Sequence, residues 1–400
     1  MRLLIVDKLP DANVRKLRDI VDEVDYRPDL SADDLAKHTP GANILLVRGT
    51  KVSADVITKA DKLELIVRSG SGTENIDLEA ASARGIYVTN CPDKNAVAVA
   101  ELTMGLLIAL DRRIPDQVMA LREGVWNKEG FAKADGLKGK VFGVVGAGAV
   151  GKEVIRRAKA FEMSVVAWSR SLTDEIACQL EVLRAVTIEE LVSQSDIVSL
   201  NVAYTPETEH LFSAELISKL KPGAVLLNTS RGPVVDTVAL AEALKTGKVR
   251  AGLDVYENEP EEGKGEFTDA LVNVPNWVGT HHIGASTAQA QRATADEATR
   301  IIAVYVKTGK VENCVNFAKR TPALYELIIR HYDRIGVLSR ILNDLKAARI
   351  NVEEVHNIIF EGAKAAVARI QLEKPPPAET LERISSRKDE IINMELVKLV

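Results

Sequence analysis

Three segments of this sequence carry side chains suited to acid–base work on a small oxygenated substrate. They are Asn228-Thr229-Ser230-Arg231-Gly232, Leu253-Asp254-Val255-Tyr256-Glu257-Asn258-Glu259-Pro260 and His281-His282-Ile283-Gly284-Ala285-Ser286-Thr287. An imidazole titrating near neutrality can take a hydroxyl proton in one direction and return it in the other. A carboxylate hydrogen-bonded to that imidazole fixes its tautomer and stabilises its charged form, which raises its pKa. A guanidinium can anchor a substrate carboxylate and polarise a developing carbonyl. Singly, a histidine after a strand, an Arg-Gly turn and a Glu-Pro are ordinary features. Together, downstream of a nucleotide loop, they imply oxidation of a secondary alcohol with hydride leaving to a nicotinamide.

That nucleotide loop is Gly146-Ala147-Gly148-Ala149-Val150-Gly151, a G-x-G-x-x-G. It follows the strand pattern Lys140–Val145 and opens a helix through Val154, Ala158 and Phe161, which is the context the motif requires. Gly146 permits the tight turn, Gly148 lets the backbone approach a pyrophosphate, and Gly151 lets helix and strand pack closely. The helix N-terminus supplies unpaired N–H groups to the phosphates. The acidic residue that normally follows about 20 positions later to bind the ribose hydroxyls is replaced by Ser169, with Arg170 next to it. With no carboxylate to repel a 2′-phosphate and a guanidinium to bind one, the expected cofactor is NAD or NADP, with NADP(H) used at least as well as NAD(H).

The elements that position these residues read as alternating strands and helices. Leu3–Val6, Ile44–Val47, Leu65–Val67 and Ile86–Val88 are strand candidates, with helical stretches at Asp11–Val21 and Ala54–Ala60. A long helix from about Ala98 to Arg112, with a polar tail toward Trp126, precedes a second series. Its strands lie near Val141–Val145, Ser164–Ala167, Ile197–Leu200, Ala224–Asn228 and Val278–Gly279. Such alternation predicts parallel sheets covered on both faces. Beyond about residue 322 the order becomes strand, helix, strand, strand, helix, strand, with a hairpin signal at Glu361-Gly362 and a closing strand Glu395–Val400.

The chain has 400 residues, long for a single core, so two or three domains are expected. With 46% hydrophobic residues, 27% charged residues and a net charge of -5, it reads as soluble and globular, with no nucleic-acid or membrane partner expected. Cys91, Cys178 and Cys314 have neither disulfide-framework nor metal-site spacing, so no metal is expected. No run reaches the length of about 18 apolar residues that spans a bilayer, and the N-terminus has no signal-peptide pattern, which gives a cytoplasmic expectation.

The motifs and their order resemble the D-isomer-specific 2-hydroxyacid dehydrogenase family over roughly residues 40 to 316. Arg68-Ser69-Gly70-Ser71-Gly72-Thr73-Glu74-Asn75-Ile76-Asp77, Asn95 and Val99-Ala100-Glu101-Leu102 carry the likeness as well. The resemblance implies catalytic Arg231, Glu259 and His282. His282 is chosen over His281 because it directly precedes Ile283-Gly284-Ala285-Ser286-Thr287. It also implies that Thr229, Ser230, Asp254, Gly284 and Ala285 join Gly146, Gly148, Ala149, Val150, Gly151, Ser169 and Arg170 around the cofactor. Ser71 and Gly72 would hold the substrate carboxylate. Arg48 and Lys51 resemble the anion-binding loop of the family's phosphoglycerate-oxidising members, where two neighbouring cations could hold a phosphate.

The last 80 or so residues resemble an ACT regulatory domain, through His331-Tyr332-Asp333-Arg334-Ile335-Gly336-Val337-Leu338 and Ile350-Asn351-Val352. Such domains pair to bind small amino acids, which implies His331, Asp333 and Asn351 as effector contacts, with serine the candidate effector. The expected architecture is therefore α/β: two doubly wound, Rossmann-like domains and a C-terminal βαββαβ, ferredoxin-like domain. The boundaries are 1–97 plus 286–316 for a discontinuous flavodoxin-like substrate domain, 98–285 for the dinucleotide domain and 322–400 for the ACT domain. The expected activity is oxidation of 3-phosphoglycerate, a small anionic substrate, to 3-phosphohydroxypyruvate, the first step toward serine, by a homodimer or homotetramer. Two alternatives are a glyoxylate or hydroxypyruvate reductase of the same family and, from another class, an NAD(H)-sensing corepressor-like binding protein.

Overall fold

A computed structural model describes residues 1–260, 264–318 and 320–399, and its contacts divide the chain into two compact units, Met1–Asn316 and Phe317–Val400. The first unit contains two parallel sheets. β1 (Arg2–Ile5), β2 (Glu23–Tyr26), β3 (Ile44–Val47), β4 (Leu65–Arg68) and β5 (Tyr87–Thr89) form one sheet in the order β2-β1-β3-β4-β5. Its inner strands are apolar on both faces because helices cover both sides. β2 escaped the sequence reading because Glu23-Val24-Asp25-Tyr26 is a half-exposed edge with little apolar signal.

The second sheet has seven strands: β6 (Val141–Val145), β7 (Ser164–Trp168), β8 (Leu183–Arg184), β9 (Ile197–Leu200), β10 (Ala224–Asn228), β11 (Val249–Leu253) and β12 (Trp277–Gly279). Their order is β12-β11-β10-β9-β6-β7-β8. β8 and β11 are additions to the sequence reading. β8 is a two-residue exposed edge. β11 is broken in pattern by Arg250 and Gly252, yet a side chain at Gly252 would meet Leu227, Leu106 and Leu110, so the glycine makes room for the crossing helix. That helix, Ala96–Arg112, buries Ala100, Met104, Leu106, Leu107 and Leu110 against Phe142, Val144 and Leu227. It ends where Arg113 turns left-handed, and a separate helix, Ile114–Arg122, follows.

The chain then returns to the first sheet. Helix Ala288–Thr308 packs Ala295, Ala298, Ile301, Ile302 and Tyr305 against Leu3, Ile5, Leu17 and Leu65. Val315 and Asn316 then hydrogen-bond to the backbone of Val88. In both parallel sheets the order reverses between two strands, β1 and β3 in one and β6 and β9 in the other, and open α/β sheets take ligands at such points.

The second unit is the four-stranded antiparallel sheet β14-β15-β13-β16, built from β13 (Tyr325–Tyr332), β14 (Val352–Ile359), β15 (Ala365–Leu372) and β16 (Ile391–Lys398). Helices Val337–Ala347 and Ala378–Ser385 complete the expected βαββαβ order, burying Ile341, Leu345 and Ile384 over one face. The closing strand begins earlier than the expected Glu395, and Val400 lies outside the described residues. Among the described residues no helix is long and apolar enough to cross a membrane.

A methyl group at Gly151 would fall on the Gly146 carbonyl oxygen, a backbone atom that cannot swing aside. Gly151→Ala is therefore expected to destabilise the first unit by about 1–3 kcal/mol and to weaken dinucleotide binding. A thermal unfolding scan and a cofactor titration check this, and an unchanged Tm would contradict the packing argument.

Candidate active site

His282 and Glu259 meet in the loops that leave β12 and β11. His282 Nδ1 lies 2.7 Å from Glu259 Oε2, while Glu259 Oε1 accepts the Tyr256 N–H at 2.9 Å. Both carboxylate oxygens are thus engaged, and Nε2 is the ring nitrogen that this pair leaves open. The hydrogen bond to Glu259 raises the His282 pKa above its ordinary value, against burial and the nearby Arg231 charge, which lower it. Burial pushes the Glu259 carboxyl up, but the His282 hydrogen bond and the Tyr256 N–H outweigh it and hold the group below the ordinary carboxylate value. His281, the other histidine of the segment, faces a cavity lined by Tyr256, Phe267, Trp277 and Lys264, which His282 and Glu259 also border.

The backbone of His282 is left-handed, at φ 51, an unfavourable region for a non-glycine residue. Asp254 imposes it. Its carbonyl accepts the His282 N–H at 2.8 Å, and its carboxylate, 1% exposed, accepts Thr280 Oγ1 at 2.6 Å and the N–H groups of Ile283 and Gly284 at 2.8 Å each. Asp254, placed at the cofactor by resemblance, here spends its carboxylate on the histidine loop. Ala285 follows on that loop, exposed.

Arg231 lies in the loop after β10. Asn228 shapes that turn, accepting the N–H and Oγ of Ser230 and donating to the Arg231 carbonyl at 2.9 Å. Gly232 is obligatory there, because a side chain would strike the Tyr256 carbonyl. The Gly232 Cβ position abuts the Tyr256 carbonyl, whose residue's N–H is held by Glu259, and the charge of Arg231 acts on both Glu259 and His282. Thr229 is buried, 2.8 Å from the Thr103 hydroxyl of the crossing helix.

The glycine loop sits at the switch point of the second sheet. Gly146 has φ 97 and donates its N–H to the Trp168 carbonyl at 2.8 Å, and Asn201, just beyond β9, leaves no room for a side chain on it. Gly148 caps helix Ala149–Ala160 and faces open space, so Ala149, Val150 and Gly151 form the first helical turn. Gly146, Gly148, Ser169, Arg170, Asn201, Val202 and Glu207 line one cavity. Asn201 Oδ1 is buried without a hydrogen-bond partner, an acceptor suited to a hydroxyl of a bound ribose. These residues fit a dinucleotide.

On the first sheet, Arg48 and Lys51 follow β3 at its switch point. Asp7 Oδ2, just beyond the end of β1, accepts the N–H groups of Arg48, Gly49 and Thr50 at 2.6, 3.1 and 3.2 Å. Ser71 Oγ bonds Asn95 Oδ1 at 2.9 Å, and the Cβ position of Gly72 lies beside Arg231 and Glu74. Sequence reasoning missed Arg68 and Glu74 as site residues, although both fall in the quoted motif. Burial lowers the Arg68 pKa, as do the neighbouring Arg231 and Arg48 charges, and its Nε has no partner.

The three effector candidates do not converge in one copy. His331 pairs through β15 with the Ile359 end of β14, whereas Asn351 precedes Val352 at the opposite end of that strand. His331 is 2% exposed, with ring nitrogens at 2.9 Å from the Tyr332 carbonyl and 3.1 Å from Asn357 Oδ1. Asn351 donates to Glu353 at 2.6 Å, and Asp333 is half-buried beyond the end of β13.

Comparison with known proteins agrees with this geometry. A family model described as "D-isomer specific 2-hydroxyacid dehydrogenase, NAD binding domain" matches residues 104–284. A D-3-phosphoglycerate dehydrogenase of Methanocaldococcus jannaschii is 36% identical over 374 residues, 93% of this chain and 67% of that protein. A hydroxypyruvate reductase of Thermotoga maritima is 42% identical over 270 residues, 67% of this chain and 86% of that protein. The crystal structure of an NAD+-bound 3-phosphoglycerate dehydrogenase of Entamoeba histolytica superimposes with a TM-score of 0.65 at 26% identity, covering 79% of this chain and 99% of that one. The chain belongs to the D-isomer specific 2-hydroxyacid dehydrogenase family. It is an NAD(P)-dependent oxidoreductase of that family, and it spans 62 to 67% of the length of the phosphoglycerate dehydrogenases first matched.

With His282 as the base, oxidation requires its neutral form, so kcat/KM should rise with pH through a midpoint above the ordinary imidazole value of 6.5. The His282–Glu259 bond also favours folding at pH values below the unfolded-state pKa, and that contribution fades as pH rises through the higher folded-state pKa. Glu259→Gln should move the kinetic midpoint to lower pH, which a pH–rate profile of both proteins measures. An unmoved midpoint would disprove the pairing's role.

Proposed function

We propose that this protein oxidises 3-phosphoglycerate to 3-phosphohydroxypyruvate. The observation that carries the reading is the joining of a His282–Glu259 pair and Arg231 to two further guanidiniums, Arg48 and Arg68, on the loop after β3 and at the end of β4, whose charges act on one another. A 2-hydroxy acid with a phosphate brings two anionic groups, and this cluster offers cations for both. The likeness to phosphoglycerate dehydrogenases over 93% of the chain supports it. By the same likeness, the reaction would be the first step toward serine.

Held over the Gly146–Gly151 turn and the cavity lined by Ser169 and Arg170, a nicotinamide cofactor would supply the acceptor for the hydride leaving the substrate carbon. Arg231 anchors the substrate carboxylate and polarises the forming carbonyl, and the loop at Ser71 and Gly72 holds the other side of that carboxylate. His282 takes the hydroxyl proton on Nε2, and Glu259 stabilises the imidazolium that results. Asp254 acts through the loop it clamps. Ser169 and Arg170 hold the adenosine end of NAD or NADP, with Glu207 lining the same cavity.

The lobes that frame this site run over 1–97 plus 286–316 and over 98–285, which accords with the return of helix Ala288–Thr308 to the first sheet. The βαββαβ unit is read as an ACT domain. Because His331 and Asp333 lie at the other end of its sheet from Asn351, an amino-acid site using all three takes residues from two copies. Exposed Val118, Met119, Leu121, Val125 and Trp126 support a homo-oligomer, since such apolar clusters mark contact surfaces. The second reading, reduction of hydroxypyruvate or glyoxylate, is favoured by the 42% identity to the Thermotoga maritima enzyme.

A steady-state panel of 3-phosphoglycerate, glycerate, glyoxylate and hydroxypyruvate with both cofactors, with and without serine, separates these readings. The highest kcat/KM is expected for the phosphorylated acid, and NADP(H) should serve at least as well as NAD(H). A preference for the unphosphorylated acids would establish the second reading. His282→Ala and Arg231→Ala should each lower kcat/KM by at least about 100-fold, or about 2.7 kcal/mol. Near-normal turnover in either variant would reject the residue's assigned role.

A further inference from the structure

The guanidinium assigned to the substrate carboxylate already holds a carboxylate of the protein's own. Arg231 Nε and Nη2 both approach Glu74 Oε1, at 2.8 and 2.7 Å, and Nη1 donates to the Ser230 carbonyl at 2.8 Å. Glu74 lies in the loop after β4 and Arg231 in the loop after β10, so the pair joins the two sheets' loops across the site. The position a Gly72 side chain would occupy is crowded by Glu74 Oε2 and by Arg231 Nη2. The donor edge that a 2-hydroxy acid needs is therefore taken, and a second carboxylate cannot share it without like-charge repulsion.

We propose that Glu74 is a resident competitor for the substrate carboxylate. It occupies Arg231 in the empty site and gives way when a 2-hydroxy acid binds. Three features make the exchange workable. The Glu74 side chain is 60% exposed, so its ion pair is of the solvent-screened kind that contributes little to stability. Arg68 stands beside it, its charge acting on Glu74 and its Nε unpartnered, able to receive the displaced carboxylate. An arriving substrate anion would itself compensate the charges of Arg48, Arg68 and Arg231, so the cluster loses no counter-charge in the exchange.

The competition burdens ground state and transition state alike, so its signature lies in KM rather than kcat. This inference rests on reading Arg231 as the carboxylate anchor. Its test is Glu74→Gln, with Glu74→Ala as a second variant in case the first fails to fold. Removing the competing charge should lower KM for 3-phosphoglycerate by about three- to fivefold, the scale of an exposed ion pair. The dissociation constant of oxalate, titrated calorimetrically into enzyme saturated with reduced cofactor, should fall by a similar factor. A KM and an oxalate constant that stay unchanged or rise in both variants would overturn the proposal, since a merely structural Glu74 predicts that direction. Wild-type enzyme without turnover on 3-phosphoglycerate would overturn the functional reading instead, and the oxalate titration would still decide the role of Glu74. Oxalate affinity indifferent to Arg231→Ala would remove the basis for both.

Discussion

The site depends first on a buried carboxylate that answers backbone amides. Asp254 is 1% exposed and collects three donors from the chain segment carrying His282. An unpaired carboxylate at that depth would be prohibitively costly, whereas each hydrogen bond to a charged acceptor contributes about 1.5–3 kcal/mol. Those bonds outweigh the strain of a left-handed histidine, of order 1–3 kcal/mol. The loop is thereby held in one conformation, and the imidazole meets Glu259 at 2.7 Å without having to be ordered by substrate. Catalytic groups held ready in this way need no reorganisation during the reaction.

The same device recurs at each loop that matters. Asp7 gathers three consecutive N–H groups after β3, and Asn228 gathers Ser230 and the Arg231 carbonyl after β10. In a parallel sheet the loops at the carboxyl ends of the strands have no ladder to satisfy their backbone groups, and a short acidic or amide side chain at a strand end supplies the missing partner. The side chains proposed for the chemistry sit on these clamped segments: Arg48 on the loop held by Asp7, Arg231 on the turn held by Asn228, and His282 on the segment held by Asp254. Placement and chemistry are divided between neighbouring residues, which explains why the motifs are segments rather than single side chains.

Much of this was legible before any coordinates, and the reasons differ by residue. The apolar runs of β1, β3, β4, β6 and β9 are strands because they are buried on both faces, a signal that survives in composition alone. β11 was lost because Gly252 answers to Leu106 and Leu110, distant in sequence, and not to any local pattern. His282 and Glu259 were named as a pair through family resemblance, and the geometry joins them, with Asp254 acting as a clamp whose partners, the Thr280 hydroxyl and the N–H groups of Ile283 and Gly284, lie 26 to 30 residues away. Glu74 was quoted only as part of a motif, because its partner lies 157 residues further along the chain. Contacts of that range leave no periodicity to read. The effector candidates show a different limit: His331, Asp333 and Asn351 are close in a motif-based picture, but strand register sets them at opposite ends of one sheet.

Charge balance ties the two sheets' contributions together. In the proposed reaction Arg231 would bind an anion, and left alone beside His282 it would disfavour the imidazolium, since its charge lowers the His282 pKa. Glu259 offsets that repulsion on one side and Glu74 holds the guanidinium on the other. The two carboxylates are not equivalent. Glu259 is fixed by the Tyr256 N–H as well as by the imidazole, while Glu74 is an exposed side chain on a different loop. The fixed one suits a partner needed throughout the reaction, and the loose one suits a partner that a substrate anion can replace. The proposed reaction, which binds an anion, uses a base and releases a charged product, needs both kinds, and the parallel-sheet fold delivers them from strand ends far apart in the chain.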